Sequence, residues 1–271
     1  MASLGETLTA RKRAGKGSLL AYLMAGTVPP ERYLEAVDRL RASGVTGIEV
    51  GFPFSDPIAE GPVIQRAASE SLRLGFRWEA LMSLLPQISS RVPTAVMTYL
   101  NIFHHRGVPA ALEDLSRGGA TAVVIPDLPV EEAGPFRSAG KRSHVDPVLL
   151  ASPGSAHGRV EQIARGTRGF LYVVSRYGTT GVVNAKAIDP ARSSPELSGI
   201  LTGARKVRPR LPLLVGFGVS QPEDVRRYRG MGADGVIVGS AFQSLLTEAN
   251  GPGRLADMAS DLVNALEAPH G

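Results

Sequence analysis

The chain has no cysteine among its 271 residues. Disulfides, zinc-thiolate sites, iron–sulfur clusters and thiol nucleophiles are therefore excluded. The absence fits a reducing compartment, so we expect a cytoplasmic protein. Long hydrophobic runs are also missing, because Gly, Pro or a charged residue interrupts every candidate before eighteen apolar residues accumulate. The sequence predicts no membrane span.

Aromatic residues are scarce, at 6 %, although 30 Lys and Arg against 25 Asp and Glu give a net charge of +5. The isoelectric point near 9.7 raises nucleic acid as a partner. Such binding asks for a clustered basic face with aromatic residues between the charges. The basic clusters at residues 11–16 and 205–210 are thin and carry no stacking pattern. We therefore predict a solvated basic surface and no nucleic-acid partner.

Short apolar runs recur along the chain, and stretches with helical spacing and charged faces lie between them. Their near-continuous apolarity is typical of parallel strands that are buried on both faces. Dividing 271 residues by eight runs gives about 34 residues per unit, the length of a βα step. The runs are residues 19–25, 46–52, 94–100, 121–128, 145–152, 169–175, 212–218 and 235–241.

Eight such units predict the α/β class, as a (β/α)₈ TIM barrel in one domain spanning residues 1–271, since an open doubly wound sheet usually has fewer strands. We expect a short extra helix within the first eighteen residues and a closing helix from Arg254 to Glu267. Three similar segments indicate an internal repeat of the helix-to-strand connection: SGVTGIEVG from 43, GGATAVVIP from 118 and MGADGVIVG from 231. In each, a glycine after a predicted helix supplies a left-handed residue before the next strand.

Chemistry in such a barrel belongs at the carboxyl ends of the strands. Glu49 lies within the second predicted strand, where an ionised carboxylate is costly to bury without a partner. This feature alone supports a catalytic role for Glu49 and a structural ion pair equally. Glu60 follows in the proline-braced loop FPFSDPIAEGP, with Asp56 between them. Two carboxylates so placed suit a reaction in which one transfers a proton and the other stabilises charge.

Glycines follow the last strands, in GTTG at 178–181, GFG at 216–218 and GS at 239–240. Backbone N–H groups exposed by glycine, together with a helix start after strand eight, bind phosphate well. The alternative is that these glycines only permit tight turns, and their convergence on one rim favours phosphate.

Other site classes find no support in the sequence. The histidines lack the spacing of metal ligands, and we predict no metal site. The GxGxxG match at Gly230 precedes a strand, whereas a dinucleotide site follows one. No GxSxG elbow occurs, and no Lys stands in the eight runs to form a Schiff base.

Four segments carry a family resemblance: EVGFPFSDPIAEGPVIQRA from 49, PDLPVEEAGPFR from 126, YVVSRYGTTG from 172 and GFGVSQPEDV from 216. They resemble the alpha subunit of tryptophan synthase, in register from about Leu19 to Ala241. The resemblance implies a lyase of tryptophan biosynthesis that splits indole-3-glycerol phosphate by a retro-aldol step into indole and glyceraldehyde 3-phosphate. It implies no metal or cofactor in this chain, and a pyridoxal-phosphate-bearing beta subunit as partner.

The resemblance also assigns residues. Glu49 matches the family's acid/base, Glu60 stands where a loop Asp holds the indole N–H, and Tyr172 matches an active-site tyrosine. The matched phosphate-binding positions are Gly181, Gly218, Gly239 and Ser240. The matched indole-pocket positions are Tyr22, Ile64, Met97, Tyr99, Val124, Thr180 and Phe217, and apolar walls there would raise the pKa of Glu49 towards the working pH.

Two departures from the family stand out. Glu replaces Asp at position 60, and the added methylene moves the carboxylate by about one bond length, a misplacement that can cost about a hundredfold in rate. Thr27 and Val28 stand where the family usually has Asp-Pro. Two alternatives therefore stay open: a stand-alone lyase that supplies free indole to another pathway, and a weakly catalytic homologue that activates a beta subunit. Outside the family, another phosphosugar isomerase or lyase of this barrel type is the runner-up.

Overall fold

The computed structural model describes residues 2–175 and 190–267. Within these ranges nine strand segments form one sheet, and every pair of neighbouring strands is parallel. The segments are β1 (Ser18–Met24), β2 (Gly47–Gly51), β3 (Thr94–Met97), β4 (Ala122–Val124), β5 (Asp146–Val148), β6 (Leu150–Ala151), β7 (Leu171–Val174), β8 (Leu213–Gly216) and β9 (Gly235–Val238).

The sheet order is β5-β4-β3-β2-β1-β9-β8-β7-β6. Its two end segments, β5 and β6, are separated in the chain only by Leu149, so the sheet curls into a nearly closed barrel and the predicted fold class is confirmed. The fifth predicted strand, residues 145–152, is split. The N–H of Leu149 donates to the Thr167 hydroxyl at 2.9 Å instead of to a strand. Here the chain changes its pairing partner from β4 to β7.

Helices surround the sheet. In the described ranges they are α1 (Leu4–Arg13), α2 (Pro30–Ala42), α3 (Pro62–Arg73), α4 (Trp78–Ser89), α5 (Leu100–Arg106), α6 (Val108–Arg117), α7 (Ala133–Ser143), α8 (His157–Gly166), α9 (Pro190–Val207), α10 (Pro222–Gly230), α11 (Ser240–Leu246) and α12 (Gly251–Glu267), with a 3₁₀ turn at Val130–Glu132. The predicted extra helix is α1. The predicted closing helix is α12, which begins three residues before Arg254.

The helix ends confirm the role predicted for the repeated glycines. Gly44, Gly119 and Gly232 have φ values of +87°, +84° and +94°, which residues with a side chain rarely adopt. Each ends a helix and turns the chain into the next strand. In these three units the local sequence therefore marks where the helix ends and the next strand follows.

The core has two parts. One lies between the sheet and the surrounding helices, and the other fills the barrel interior. At the amino end, Leu4 and Leu8 of α1 belong to the interior cluster and close the barrel from below. Ser3 caps α1, because its Oγ accepts from the N–H of Glu6 at 3.2 Å and Glu6 accepts from the N–H of Ser3 at 2.8 Å. The opposite, carboxyl end carries the candidate site.

Candidate active site

Glu49 lies in the middle of β2, in register with Tyr22 of β1 and Ala95 of β3. Both neighbours belong to the interior cluster, so Glu49 points into the barrel as well. Its exposed fraction is 0 %. Neither carboxylate oxygen has a hydrogen-bond partner among the described residues. Burial, reinforced by the charge of Glu60, raises the pKa of Glu49 to about 8.

Glu60 lies in the loop between β2 and α3, where Gln65 of α3 donates to its carbonyl oxygen at 3.0 Å. Its side chain is 5 % exposed and accepts a hydrogen bond from the hydroxyl of Tyr99. The Tyr99 oxygen in turn accepts from the N–H of Ala59 at 3.0 Å. Burial raises the pKa of Glu60 to about 7, although the bond from Tyr99 opposes that rise. The loop therefore holds a second carboxyl group that titrates near neutrality.

A cavity of about 670 Å³ opens at this end of the barrel, within the size range of small-molecule sites. Its lining includes these predicted residues: Tyr22, Glu60, Ile64, Met97, Tyr172, Phe217, Gly218, Gly239 and Ser240. The cavity thus brings together a carboxyl group, aromatic and apolar walls, and the glycines after β8 and β9.

Three predicted site residues lie outside this lining. Glu49 is buried in the interior beside Tyr22, and Val124 of β4 is fully buried in the same interior cluster. Tyr99 stacks on Phe54, with ring centroids 4.9 Å apart, and holds Glu60. The structure therefore places Tyr99 as the partner of a carboxylate instead of in the described cavity wall. Thr180 and Gly181 lie outside the described residues.

Two glycines make room for the tyrosines of the cavity. A Cβ built on Gly51 would lie 2.2 Å from the Tyr22 hydroxyl, and one on Gly216 would lie 2.3 Å from the Tyr172 hydroxyl. Each ring therefore leans over the next inward position of a neighbouring strand. Burial raises the pKa of both tyrosines, and both carboxylates add to the rise. The hydroxyls thus stay protonated beside Glu49 and Glu60.

The turn after β8 is strained. Phe217 has φ of +67° and Gly218 has φ of +75°, and a bulky residue in this region is an outlier. The hydroxyl of Ser175 donates to the carbonyl of Phe217. The strained turn directs the Phe217 ring into the cavity, 5.7 Å from the ring of Tyr172. It also places Gly218, Val219 and Ser220 in the lining.

Sequence reasoning missed several lining residues. They are Ile58, Ala59, Gly61, Pro126, Leu150, Ser152, Val174, Val219, Ser220, Ile237 and Ala241. Leu150, Val174 and Ile237 lie within strands, and the other eight lie in the segments that follow β2, β4, β6, β8 and β9. The rule that barrel sites lie after the strands could have found those eight. Among the described residues no group of three or more His, Asp or Glu converges as metal ligands would.

Comparisons with known proteins identify the family of the chain. The family model described as tryptophan synthase alpha chain matches residues 8–267. The chain belongs to the tryptophan synthase alpha chain family. The alpha chain of Synechococcus elongatus is 36 % identical over 269 residues, covering 98 % of each chain. That of Methanosarcina barkeri is 36 % identical over 266 residues, covering 97 % of each.

Solved structures of the tryptophan synthase alpha chain family share the fold. A ligand-free form of tryptophan synthase from M. tuberculosis matches with a TM-score of 0.85 at 30 % identity, covering 98 % of this chain and 100 % of that one. Tryptophan synthase subunit alpha from Legionella pneumophila matches with a TM-score of 0.83 at 29 % identity, covering 98 % and 99 %. The resemblance stated from the sequence motifs is confirmed.

No helix in the described part of this family member is long and apolar enough to span a bilayer.

Proposed function

We propose that this chain is the alpha subunit of a tryptophan synthase and cleaves indole-3-glycerol phosphate into indole and glyceraldehyde 3-phosphate. The observation that carries the proposal is Glu49, a fully buried carboxyl group with no partner among the described residues, beside a cavity that Glu60 lines. Leaving such a group unpaired costs stability, and a reaction that needs a mobile proton explains the expense.

The cleavage breaks one carbon–carbon bond and moves two protons. The bond between the indole ring carbon and the glycerol chain breaks, the ring carbon gains a proton, and the adjacent hydroxyl loses one to become the aldehyde. Glu49, with a pKa of about 8, is mostly protonated at neutral pH and delivers the proton to the ring carbon. Its carboxylate then takes the hydroxyl proton, which regenerates the acid.

Glu60 accepts a hydrogen bond from the indole N–H in this proposal. Its pKa of about 7 leaves a large ionised fraction at neutral pH, and the bond from Tyr99 orients the carboxylate. Tyr22, Ile64, Met97, Tyr172 and Phe217 hold the ring, since all five line the cavity. Thr180 would join them from outside the described residues, and we assign Tyr99 and Val124 supporting positions behind the wall.

The phosphate end of the substrate binds at Gly218, Gly239 and Ser240 in this proposal, with Gly181 contributing from outside the described residues. All three lie in the cavity lining after β8 and β9. Gly239→Val should abolish phosphate affinity, because the branched side chain would extend into the space that phosphate oxygens need. Loss of inhibition by inorganic phosphate in a folded variant is the expected result. Unchanged affinity for a phosphorylated substrate analogue would place the phosphate site elsewhere.

Indole release from indole-3-glycerol phosphate tests the function, measured with and without a tryptophan synthase beta chain. We expect equal amounts of indole and glyceraldehyde 3-phosphate, formed slowly by the chain alone and faster with the partner. A fast reaction without a partner would indicate a stand-alone lyase. Inactivity under both conditions would indicate an activator. The relatives named tryptophan synthase alpha chain favour the subunit role over both.

The proposal extends to the chain as a whole. In this proposal the chain works as one barrel domain that needs no cofactor of its own, and its partner is a pyridoxal-phosphate-bearing beta subunit. The absence of cysteine supports a cytoplasmic location.

A further inference from the structure

A buried side chain on α11 completes the hydrogen bonding of β1 where the sheet stops. β9 ends at Val238, which is in register with Ala21, whereas β1 continues to Met24. The N–H of Met24 is met instead by Oε1 of Gln243, at 2.8 Å. Gln243 is 2 % exposed, so this bond satisfies a buried backbone donor that the strand ladder leaves open.

The other end of the Gln243 amide is used as well. Its Nε2 donates to the Thr27 hydroxyl at 3.2 Å, and that hydroxyl donates to the carbonyl of Met24 at 3.1 Å. The three bonds form a closed ring that joins α11, the end of β1 and the loop after it. Thr27 belongs to the second of the two departures from the family, and in this fold its hydroxyl has a specific partner.

The ring lies next to the candidate phosphate turn. The N–H of Gln243 donates to the carbonyl of Gly239 at 2.8 Å, so Gln243 lies in the first turn of α11. A Cβ on Gly239 would lie 3.5 Å from the ring of Tyr22, which stands two residues before Met24. The turn at residues 239–240 and the ring wall on β1 are therefore neighbours, and Gln243 fixes one against the other.

We propose that Gln243 and Thr27 are positioning residues that set the distance between the phosphate-binding turn and the indole wall. The inference rests on the proposed function and deepens it, since it concerns how the phosphate end of the same substrate is held. Neither residue lines the cavity, so neither is placed to contact the substrate. Their loss shifts the turn and weakens ground-state and transition-state binding alike, which raises KM and leaves kcat in place.

Thr27→Val is the decisive variant, because it removes the hydroxyl and keeps the shape. The buried Gln243 amide then lacks an acceptor, and we expect KM and the inhibition constant of inorganic phosphate to rise about tenfold, with kcat within about threefold of wild type. Gln243→Leu should act in the same direction. Thr27→Ser, which keeps the hydroxyl, should restore both constants to about twofold of wild type.

Thr247→Val is the matched control at the other end of α11. Among the described residues its exposed hydroxyl donates only to the nearby carbonyl of Ser244, at 3.0 Å, and connects no second element. If Thr27→Val behaves like Thr247→Val, or lowers kcat at constant KM, the inference is wrong. If Gln243→Leu fails to fold in a thermal melt, Thr27→Val and Thr27→Ser still decide.

The Gly239→Val variant separates this inference from the proposed function. Loss of phosphate inhibition there, with no change in Thr27→Val, would overturn the positioning role alone. A wild-type enzyme that phosphate does not inhibit would overturn the phosphate site and the positioning role together.

Discussion

Two carboxylates at opposite ends of the barrel, the half-buried Asp234 and the fully buried Glu49, have different surroundings. Asp234, directly before β9 at the amino end, accepts from the N–H of Leu213 at 2.8 Å. It also pairs with Nζ of Lys12 at 3.3 Å and Nη2 of Arg205 at 2.9 Å. Glu49, near the carboxyl end, has no hydrogen-bond partner among the described residues, and its charged neighbour Glu60 carries the same sign.

Burial raises the pKa of both carboxyl groups, but the other influences differ in direction. At Asp234, the Leu213 amide and the charges of Arg205 and Arg229 oppose that rise. At Glu49, Glu60 raises it further. A carboxylate that is buried with partners links elements and stabilises the fold, whereas one buried without them keeps a proton near neutral pH. The comparison assigns stability to the amino end and chemistry to the carboxyl end.

The largest effect is expected from Glu49→Gln, which deletes the transferable proton and keeps the shape. Losing one general acid/base typically costs about 10² to 10⁴ in rate. Indole release should fall by that factor, while circular dichroism and phosphate affinity stay those of wild type. Glu70→Gln, on the exposed face of α3, is the control. Retention of more than about a tenth of the wild-type rate would remove Glu49 from the acid/base role.

Substitutions at Glu60 should have the next largest effect on activity. If this residue holds the indole N–H, Glu60→Ala should cripple cleavage and Glu60→Asp should fall between Ala and wild type, because Tyr99 and the loop are fitted to the longer side chain. Steady-state kinetics with and without a beta chain measure the order. A faster Asp variant under both conditions, by up to about a hundredfold, would mean that Glu60 is a misplaced group in a chain freed from catalysis.

The pH profile of kcat/KM should be bell-shaped. Activity rises as Glu60 ionises, with a pKa of about 7, and falls as Glu49 loses its proton, with a pKa of about 8. The two apparent values belong to the coupled pair. Glu60→Ala removes a like charge, so the descending limb should move to lower pH. A descending limb that stays in place would show that the two groups do not interact.

The raised pKa of Glu49 also makes the stability of the fold depend on pH. Between pH 4.5 and about 8, folded Glu49 holds a proton that the unfolded chain has released. The free energy of unfolding of the wild type should therefore fall with rising pH relative to Glu49→Gln. Denaturant melts at pH 6 and pH 9 measure the difference, and parallel pH dependences in the two proteins would contradict it.

The smallest effect on activity is expected from Asp234→Asn. It removes the partner of Lys12 and Arg205, and should lower the free energy of unfolding by about 1–3 kcal/mol with kcat and KM unchanged. Glu223→Gln, which breaks an exposed pair with Arg226, is the matched control and should change stability little. A catalytic defect in a stable Asp234→Asn variant would contradict the assignment of stability to the amino end and chemistry to the carboxyl end.

The sequence predicted the features that depend on local pattern. Apolar runs marked the strands, glycines after helices marked the left-handed turns, and a carboxylate inside an apolar run marked Glu49. The sequence pattern could not predict contacts between distant segments. The bond from Tyr99 to Glu60 and the ring around Gln243 join residues 39 and 216 positions apart. No spacing rule finds such pairs, because they form only once the barrel has closed.

The left-handed backbone at Phe217 lowers the stability of the fold, while the side chain that it carries serves ligand binding. Replacing Phe217 by glycine would relieve a strain of about 1–3 kcal/mol, less the added freedom of the unfolded chain. It would also empty the cavity of a ring that packs 5.7 Å from Tyr172. Directed evolution for thermal stability alone should therefore favour glycine at position 217. Selection for ligand affinity should retain the aromatic residue.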